Sequence, residues 1–246
     1  MITLTKFDEQ KAIVSDVVKN NNMDPKQKAQ VVVCMDISGS MTDLYNNGDV
    51  QSLLDRLVPI AMQFDDNQEF ELYLFQSDAK KHKNNISLKN IDGLVNREIL
   101  GHYEFGGTNY APAINLILED YTTTEKKAGG FFSALKKSTH EKISGPLDYP
   151  VYVIYITDGE SYDHDETTRA ITEASKYGIF FQFIGIGGAQ MDFLEELDEM
   201  KGRFVDNANY FRAKNIKAMT DTELYSKMLA EFPSWLQLAK GKNLIK

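Results

Sequence analysis

The sequence predicts a doubly wound α/β fold of three layers, in which a mostly parallel sheet is flanked by helices on both faces. Short apolar runs, rich in β-branched and aromatic residues, recur along the chain as expected of strands buried on both sides. The clearest of these runs end at Asp36, Thr157 and Ile186. Amphipathic stretches with helical spacing lie between and after them, and this alternation of strand and helix is typical of a parallel sheet.

Composition and charge exclude several classes of protein. The 246 residues, 42% of them hydrophobic, suit one medium-sized domain with a sizeable core. The formal net charge is −9 and no basic stripe is present, so nucleic acid and anionic membrane surfaces are poor partners. No apolar run approaches the roughly 18 residues of a membrane span, and the N-terminus carries charges where a signal peptide is apolar. We therefore expect a cytoplasmic protein without a membrane span.

The first 30 residues are predicted to form a helical extension to a domain that spans residues 31–246. Within the extension, residues 7–18 have their apolar side chains on one side of a helix. This helix either packs on the body of the domain or serves as an arm for a partner. Residues 44–64 then read as a helix that returns along the sheet, with Pro59 as a local irregularity.

The middle of the chain is less regular. Residues 70–75 alternate as a strand, and residues 87–100 mix strand and helix patterns. Residues 122–148 are long for a connection, and we regard them as an insertion in the domain. Two aromatic residues in this insertion, Phe131 and Phe132, indicate a partner contact if they are exposed and an anchor for the loop if they are buried.

Regular structure returns after the insertion. Helices are predicted over residues 166–177 and 191–200, on either side of the last buried strand. Residues 222–239 are predicted to form a closing helix interrupted at Pro233, and residues 240–246 a frayed basic tail.

The stretch that follows the first buried strand carries candidate metal ligands. Asp36, Ser38 and Ser40 occupy alternate positions around Gly39, so a tight loop would bring one carboxylate and two hydroxyls to the same side. These are hard oxygen donors of the kind that Mg²⁺ and Ca²⁺ prefer. The same short pattern also fits a simple cap for the next helix.

Two further segments bring oxygen donors to the same edge of the predicted sheet. Thr108 follows two glycines, which allow the loop to fold back sharply, although Thr108 equally fits a cap of the helix that follows. Asp158 follows the strand that ends at Thr157. Ligand sites in such sheets lie beyond the carboxyl ends of the strands, so we expect the three segments to meet at one rim.

The pattern of these five residues resembles a known site. In identity, order and context, Asp36, Ser38, Ser40, Thr108 and Asp158 match the metal-ion-dependent adhesion site of von Willebrand factor type A domains. The resemblance covers about residues 31–239, and within the superfamily the chain looks like the bacterial branch associated with tellurium resistance and general stress. The stretches behind this narrower resemblance are residues 36–41, 44–45, 48, 50–51, 64–66, 73–75, 106–110, 157–160, 175–177 and 181–185.

The resemblance implies a function that depends on a metal ion. It implies that Ser38, Ser40 and Thr108 bind the ion through their hydroxyls and that Asp36 and Asp158 act directly or through water. Mg²⁺ is the expected ion, with Mn²⁺ or Ca²⁺ as alternatives, and it keeps a coordination position that an Asp or Glu carboxylate of a partner protein completes. We expect a protein-binding module that serves as a scaffold or sensor in a bacterial stress or tellurium-resistance-type system.

The alternative is a Mg²⁺-dependent hydrolase that acts on a phosphate ester or similar anion. Hydrolysis would need a nucleophile or general base held against the ion, and the sequence offers no identifiable catalytic residue. We therefore expect no enzymatic activity. We also expect no nucleotide cofactor, because the glycine run from Gly185 to Gly188 lacks the third glycine of a dinucleotide loop. The four histidines lack the spacing of zinc ligands.

Overall fold

The computed structural model of the protein describes residues 4–126, 139–143, 145–159 and 161–246. The strands are β1 (Gln30–Asp36), β2 (Glu71–Phe75), β3 (Ala79–Lys81), β4 (Thr123–Lys126), β5 (Thr139–Lys142), β6 (Val151–Thr157), β7 (Ile179–Ile186) and β8 (Ala208–Ala213). The helices are α1 (Leu4–Asn20), α2 (Thr42–Asn46), α3 (Asp49–Phe64), α4 (Ala111–Thr122), α5 (His164–Ala174), α6 (Asp192–Asp198), α7 (Asp221–Met228) and α8 (Phe232–Gly241).

A six-stranded sheet with the order β3-β2-β1-β6-β7-β8 forms the middle layer. Five neighbouring strands run parallel, namely β2, β1, β6, β7 and β8, and β3 is antiparallel at the edge. Every residue of β6 and β7 is buried, since helices cover both faces of the sheet. The predicted three-layer α/β fold is confirmed. In the described ranges, no helix combines the length and apolar character that crossing a bilayer requires.

The N-terminal helix packs on the body of the domain. Val14, Val17 and Val18 on one face of α1 are buried. Polar contacts also fix the helix, because Gln10 Nε2 donates to a carboxylate oxygen of Asp221 over 3.1 Å. Of the two alternatives considered for this helix, the structure shows packing rather than a free arm.

The single helix predicted over residues 44–64 is wrong. A 3₁₀ turn at Gly39–Met41 leads into the short helix α2, and α3 begins only at Asp49. Gly48 separates the two helices in a left-handed conformation with φ of 76°, which glycine adopts without steric cost. Pro59, expected as an irregularity, lies inside α3 without ending it.

Two predictions for the C-terminal region also need correction. The closing helix is two helices, because α7 ends at Met228 and α8 starts at Phe232, with Pro233 in its first turn, where proline is tolerated. The tail is not frayed. Leu147 donates its N–H to Leu244 O over 2.9 Å, Lys246 donates to Leu147 O over 3.0 Å, and Ile245 is buried.

Two strands form within the predicted insertion. β4 and β5 pair as a separate antiparallel two-stranded sheet. Phe131 and Phe132 lie outside the described residues, so both interpretations of this aromatic pair stay open. The mixed pattern over residues 87–100 corresponds to turns and a short π-helical segment at Val95–Ile99.

Candidate metal centre

The carboxyl ends of two neighbouring strands place the two candidate carboxylates side by side. β1 and β6 are parallel partners in which Met35 pairs with Ile156, so Asp36 and Asp158 leave the sheet at adjacent positions. The loop after β1 is also bonded to the segment around Gly106. Gly39 donates its N–H to Gly106 O over 2.8 Å, and Ser38 and Gly106 form an isolated parallel bridge.

A chain of hydrogen bonds joins four of the five candidate ligands. The Ser38 N–H donates to Asp36 Oδ1 over 2.6 Å. The hydroxyls of Ser38 and Ser40 lie 3.0 Å apart, and Ser40 Oγ donates to Asp158 Oδ1 over 2.8 Å. The sequence pattern after β1 therefore brings its carboxylate and two hydroxyls to one side, together with the acid after β6.

The fifth candidate, Thr108, lies in a loop fastened to this rim. Its carbonyl oxygen accepts from the Tyr162 N–H over 3.0 Å, and its side chain is 7% exposed. Polar side chains lie close to both preceding glycines. A Cβ at Gly106 would lie 1.9 Å from Gln76 Oε1, and one at Gly107 would lie 2.8 Å from a serine hydroxyl. Among the described residues, no hydrogen bond joins the Thr108 hydroxyl to the other four candidates.

Thr108 is not the cap of the following helix. α4 begins at Ala111, and the carboxylate of Asp163 accepts from the N–H groups of Tyr110 and Ala111, each over 2.9 Å. The carboxylate of Asp163 therefore caps α4. The Thr108 hydroxyl is left available to another ligand.

A second layer of contacts, which the sequence did not indicate, orients Asp36. Thr157 Oγ1 donates to Asp36 Oδ2 over 2.6 Å, and the Tyr110 hydroxyl donates in turn to Thr157 over 3.2 Å. The Tyr45 hydroxyl donates to the carbonyl oxygen of Asp36 over 2.8 Å. The position of Thr157, directly before Asp158 at a strand end, is the signal that could have identified it.

The electrostatics of the cluster favour a bound cation. Burial raises the pKa of Asp36 to about 7, even though hydrogen bonds from Thr157 and Ser38 oppose the shift. Burial also raises the pKa of Asp158. No basic side chain in the described part of the chain pairs with either acid, and burying carboxylates without a compensating charge is unfavourable.

The donor set fits a hard divalent ion. Oxygens at about 2.0 to 2.1 Å in an octahedron around Mg²⁺ lie about 2.8 to 3.0 Å apart along each edge. The separations from Ser38 Oγ to Ser40 Oγ and from Ser40 Oγ to Asp158 Oδ1 are 3.0 and 2.8 Å. No group of three or more His, Cys, Asp and Glu side chains suitable for a metal occurs among the described residues. The cluster therefore relies on hydroxyls, which suit Mg²⁺ better than softer metals.

One of the four histidines and two glycines of the Gly185 to Gly188 run have structural roles. His164 is the first residue of α5, and its ring stacks on Phe193 with 3.8 Å between ring centroids. A Cβ at Gly185 would lie 2.1 Å from Met191 Sδ, so this glycine serves packing. Gly187 has φ of 85° and turns the chain after β7. Neither glycine requires a nucleotide to explain it.

An exposed aromatic side chain stands beside the cluster. Tyr162 is 84% exposed, while its backbone N–H is bonded to the Thr108 loop. Most large apolar side chains of the described residues are buried, including Tyr45 and Tyr110 next to the cluster.

Comparisons with known proteins agree with this fold. The family model vWA-TerF-like, described as the vWA found in the TerF C terminus, matches residues 28–132 and 131–245. A Bacillus subtilis (strain 168) protein described as "Uncharacterized protein YcbR" is 34% identical over 247 residues, covering 99% of this chain and 91% of that protein.

Solved structures share the fold at low sequence identity. Proximal thread matrix protein 1 from the mussel byssus, with a zinc-occupied MIDAS motif, gives a TM-score of 0.50 at 18% identity. That match covers 82% of this chain and 48% of the mussel protein, so the chain spans about half of that protein's length. The protein BatB from Bacteroides thetaiotaomicron gives a TM-score of 0.50 at 19% identity, covering 82% of this chain and 99% of that one. From the family match and the B. subtilis relative, the chain belongs to the von Willebrand factor type A family of the TerF-like kind.

Proposed function

We propose that the chain is a metal-dependent protein-binding module. In this proposal Ser38, Ser40 and Thr108 hold a Mg²⁺ ion through their hydroxyls, and Asp36 and Asp158 act directly or through water. Mn²⁺ or Ca²⁺ are alternatives to Mg²⁺. The observation that carries the proposal is the hydrogen-bonded chain from Asp36 through both serines to Asp158, in which two buried acids have no basic partner among the described residues.

The ligand is proposed to be a carboxylate of a partner protein. Three of the five donors are neutral hydroxyls, so the two acids neutralise the charge of a divalent ion only if both are ionised and close to it. An Asp or Glu side chain of a partner supplies a further hard oxygen, which is the ligand type that Mg²⁺ prefers. The exposed ring of Tyr162 beside the rim supports a protein partner, because aromatic side chains are enriched among the residues that dominate interface affinity.

The relatives support the biological setting of the proposal. The mussel protein is described with zinc in its MIDAS motif, which supports divalent-ion binding by the equivalent motif here. The matching family is named for TerF. We therefore place the module, as a scaffold or sensor, in a bacterial stress or tellurium-resistance-type system in the cytoplasm.

Binding rather than hydrolysis is the proposed activity. A hydrolase needs a base or nucleophile poised beside the ion. Asp163, an acid close to the rim, has its carboxylate engaged by Tyr110 and Ala111 N–H groups and by the hydroxyl of Thr167 over 3.0 Å. These bonds support a structural role for Asp163. The Mg²⁺-dependent hydrolase remains the competing activity that the experiment addresses.

Calorimetric titration of Mg²⁺ and Mn²⁺ into wild type, Asp36→Ala and Thr108→Ala tests the metal site. Both variants are expected to lose metal binding while keeping the wild-type circular dichroism spectrum. Normal Mg²⁺ binding by either folded variant would overturn the site assignment.

A pull-down from bacterial lysate, with wild type and Asp36→Ala, each in Mg²⁺ and in EDTA, tests the function. A protein retained only by wild type in Mg²⁺ is the expected result. If no protein depends on both the metal and Asp36, and a phosphoesterase assay shows Mg²⁺-dependent turnover that Asp36→Ala abolishes, the hydrolase replaces the binding module.

A further inference from the structure

A pocket lies next to the candidate metal centre, at the carboxyl ends of β7 and β8. Its volume is about 380 Å³, and its lining includes Leu44, Asn47, Gly187, Lys214 and Lys217. Gly187 connects the pocket to the metal cluster. A Cβ at Gly187 would lie 3.5 Å from Leu44 Cδ1 and 4.0 Å from the Cβ of Asp158. We call this cavity the Lys214 pocket.

The two lysines of the pocket differ in what they contact. Lys217 Nζ donates to Asn47 O over 2.6 Å and pairs with Asp49 Oδ1 at 3.2 Å. The charge of Lys217 is therefore already paired with an acid of the pocket wall. Lys214 is exposed, and its ammonium has no hydrogen bond or ion pair with the residues that the structure describes. Water hydrates this exposed ammonium, and its positive charge beside the metal site favours a ligand that carries a second acidic group.

The wall that presents Lys214 is held in place by a buried arginine. Arg56 of α3 donates from Nη1 to Ile216 O and from Nη2 to Met219 O, each over 2.9 Å, and its side chain also pairs with Asp221. These bonds fasten the loop after β8 to the helix layer. A ligand therefore meets a preformed pocket, which reduces the entropy lost on binding.

The sheet register gives the separation between the strand ends that lead to Asp158 and to Lys214. Thr157 pairs with Gly185 on β7, and Gly185 pairs with Arg212 on β8. Neighbouring strands lie about 4.8 Å apart, so the backbones that follow Thr157 and Arg212 are about 10 Å apart. An extended peptide advances about 3.3 Å per residue and its side chains alternate between two faces, so side chains on the same face lie about 7 Å apart at two positions and about 13 Å apart at four. Four positions is therefore the shortest same-face spacing that covers the distance.

We propose that the Lys214 pocket binds a second carboxylate of the same protein ligand, so that the partner offers an extended acidic segment with two Asp or Glu residues four positions apart. The inference rests on the proposed function, because the first carboxylate is the one that completes the metal site. The ammonium of Lys214 pairs with the second carboxylate, and the side chain of Leu44 lies beneath the peptide between the two anchors. Spacing then becomes a source of specificity, since a single acid engages one anchor only.

Fluorescence anisotropy with short labelled peptides in Mg²⁺ tests this inference. The probes are nine-residue Gly/Ser peptides with blocked ends that carry either one Asp or two Asp residues four positions apart. Wild type is expected to bind the two-Asp peptide about three- to tenfold more tightly than the one-Asp peptide, an advantage that shrinks as salt is raised.

Variants separate the pocket from general charge effects. Lys214→Gln is expected to lose the advantage of the second Asp while binding the one-Asp peptide as wild type does. Lys89→Gln is the matched control, because Lys89 is exposed and lies near Ile86, which bridges to Phe70 at the opposite end of β2. This control is expected to keep the full advantage.

The outcomes distinguish the two proposals. If the one-Asp peptide binds in a Mg²⁺- and Asp36-dependent way but the second Asp gives no advantage, or Lys214→Gln retains that advantage, the Lys214 pocket is overturned and the metal-dependent function stands. If neither peptide shows binding that depends on Mg²⁺ and Asp36, both proposals are overturned.

Discussion

Thr157→Val is expected to weaken metal binding although Thr157 is not itself a proposed ligand. The Thr157 hydroxyl donates to Asp36 Oδ2 over 2.6 Å in a site where both residues are fully buried. It is the strongest of the hydrogen bonds that hold down the pKa of Asp36, which is already raised to about 7. Valine keeps the shape of the side chain and removes that bond.

The expected size of the effect follows from the charge on Asp36. A hydrogen bond to a charged group contributes about 1.5 to 3 kcal/mol, and loss of a partner that orients a metal ligand weakens affinity about 10- to 100-fold. Without the bond the pKa of Asp36 rises further, so protons compete more strongly with the metal. The Tyr110 hydroxyl is not left without a partner, because it also donates to Gly159 O.

Calorimetric Mg²⁺ titration at pH 7.5 provides the measurement, with Thr122→Val as the matched control. Thr122 is a buried threonine at the far end of α4 whose hydroxyl donates to Leu118 O over 2.6 Å within the helix. Its replacement is expected to leave Mg²⁺ affinity unchanged. Wild-type affinity in a folded Thr157→Val variant would refute the claim that this hydroxyl keeps Asp36 ionised and oriented.

Three further predictions follow from the structure. Mg²⁺ affinity is expected to rise about tenfold between pH 6 and pH 8, because the ion requires ionised Asp36 and a proton competes for it below its pKa of about 7; calorimetry at both values checks this, and a flat profile would contradict it. Tyr162→Ala is expected to leave Mg²⁺ affinity and thermal stability unchanged, since the ring is 84% exposed, but to weaken retention of a metal-dependent partner in the pull-down; equal retention would remove Tyr162 from the interface. Gly178→Ala is expected to destabilise the fold by about 1 to 3 kcal/mol in urea unfolding, because a Cβ there would lie 2.9 Å from the backbone oxygen of Leu244. Gly188→Ala, where nothing lies within 4 Å, is the control, and equal stability of the two variants would refute the packing argument.

The fold class follows from local patterns because the central strands are buried on both faces. β1, β6 and β7 are continuous apolar runs with no polar face, so their sequences alone distinguish them from surface strands. β8 was not predicted. Asn209 and Arg212 interrupt its apolar pattern, although it pairs with β7, the strand that precedes it in the chain. The edge strand β3 contains only Ala79, Lys80 and Lys81, which gives no apolar signal.

The positions where helices end, and the packing of the C-terminal tail, could not be predicted from hydrophobic periodicity. Residues 44–64 keep an apolar face throughout, but Gly48 in a left-handed conformation divides them into two helices. The tail after α8 was predicted to be frayed because it is basic, yet Leu244 and Ile245 pack against Leu147 and Gly178. In both cases the deciding contact joins residues that are remote in sequence or depends on the backbone conformation at one position.

The sequence by itself determined which oxygen donors the protein has and in what order, since Asp36, Ser38, Ser40, Thr108 and Asp158 are recognisable from strand ends and glycine turns. Only the tertiary structure decided that four of them meet in one hydrogen-bonded chain, that Thr157 orients Asp36, and that Tyr162 and Lys214 stand exposed at the rim. The physical reason is the separation along the chain over which each property is set. Donor chemistry and strand periodicity are properties of short stretches, whereas the meeting of side chains depends on strand register and on packing between segments far apart in the chain.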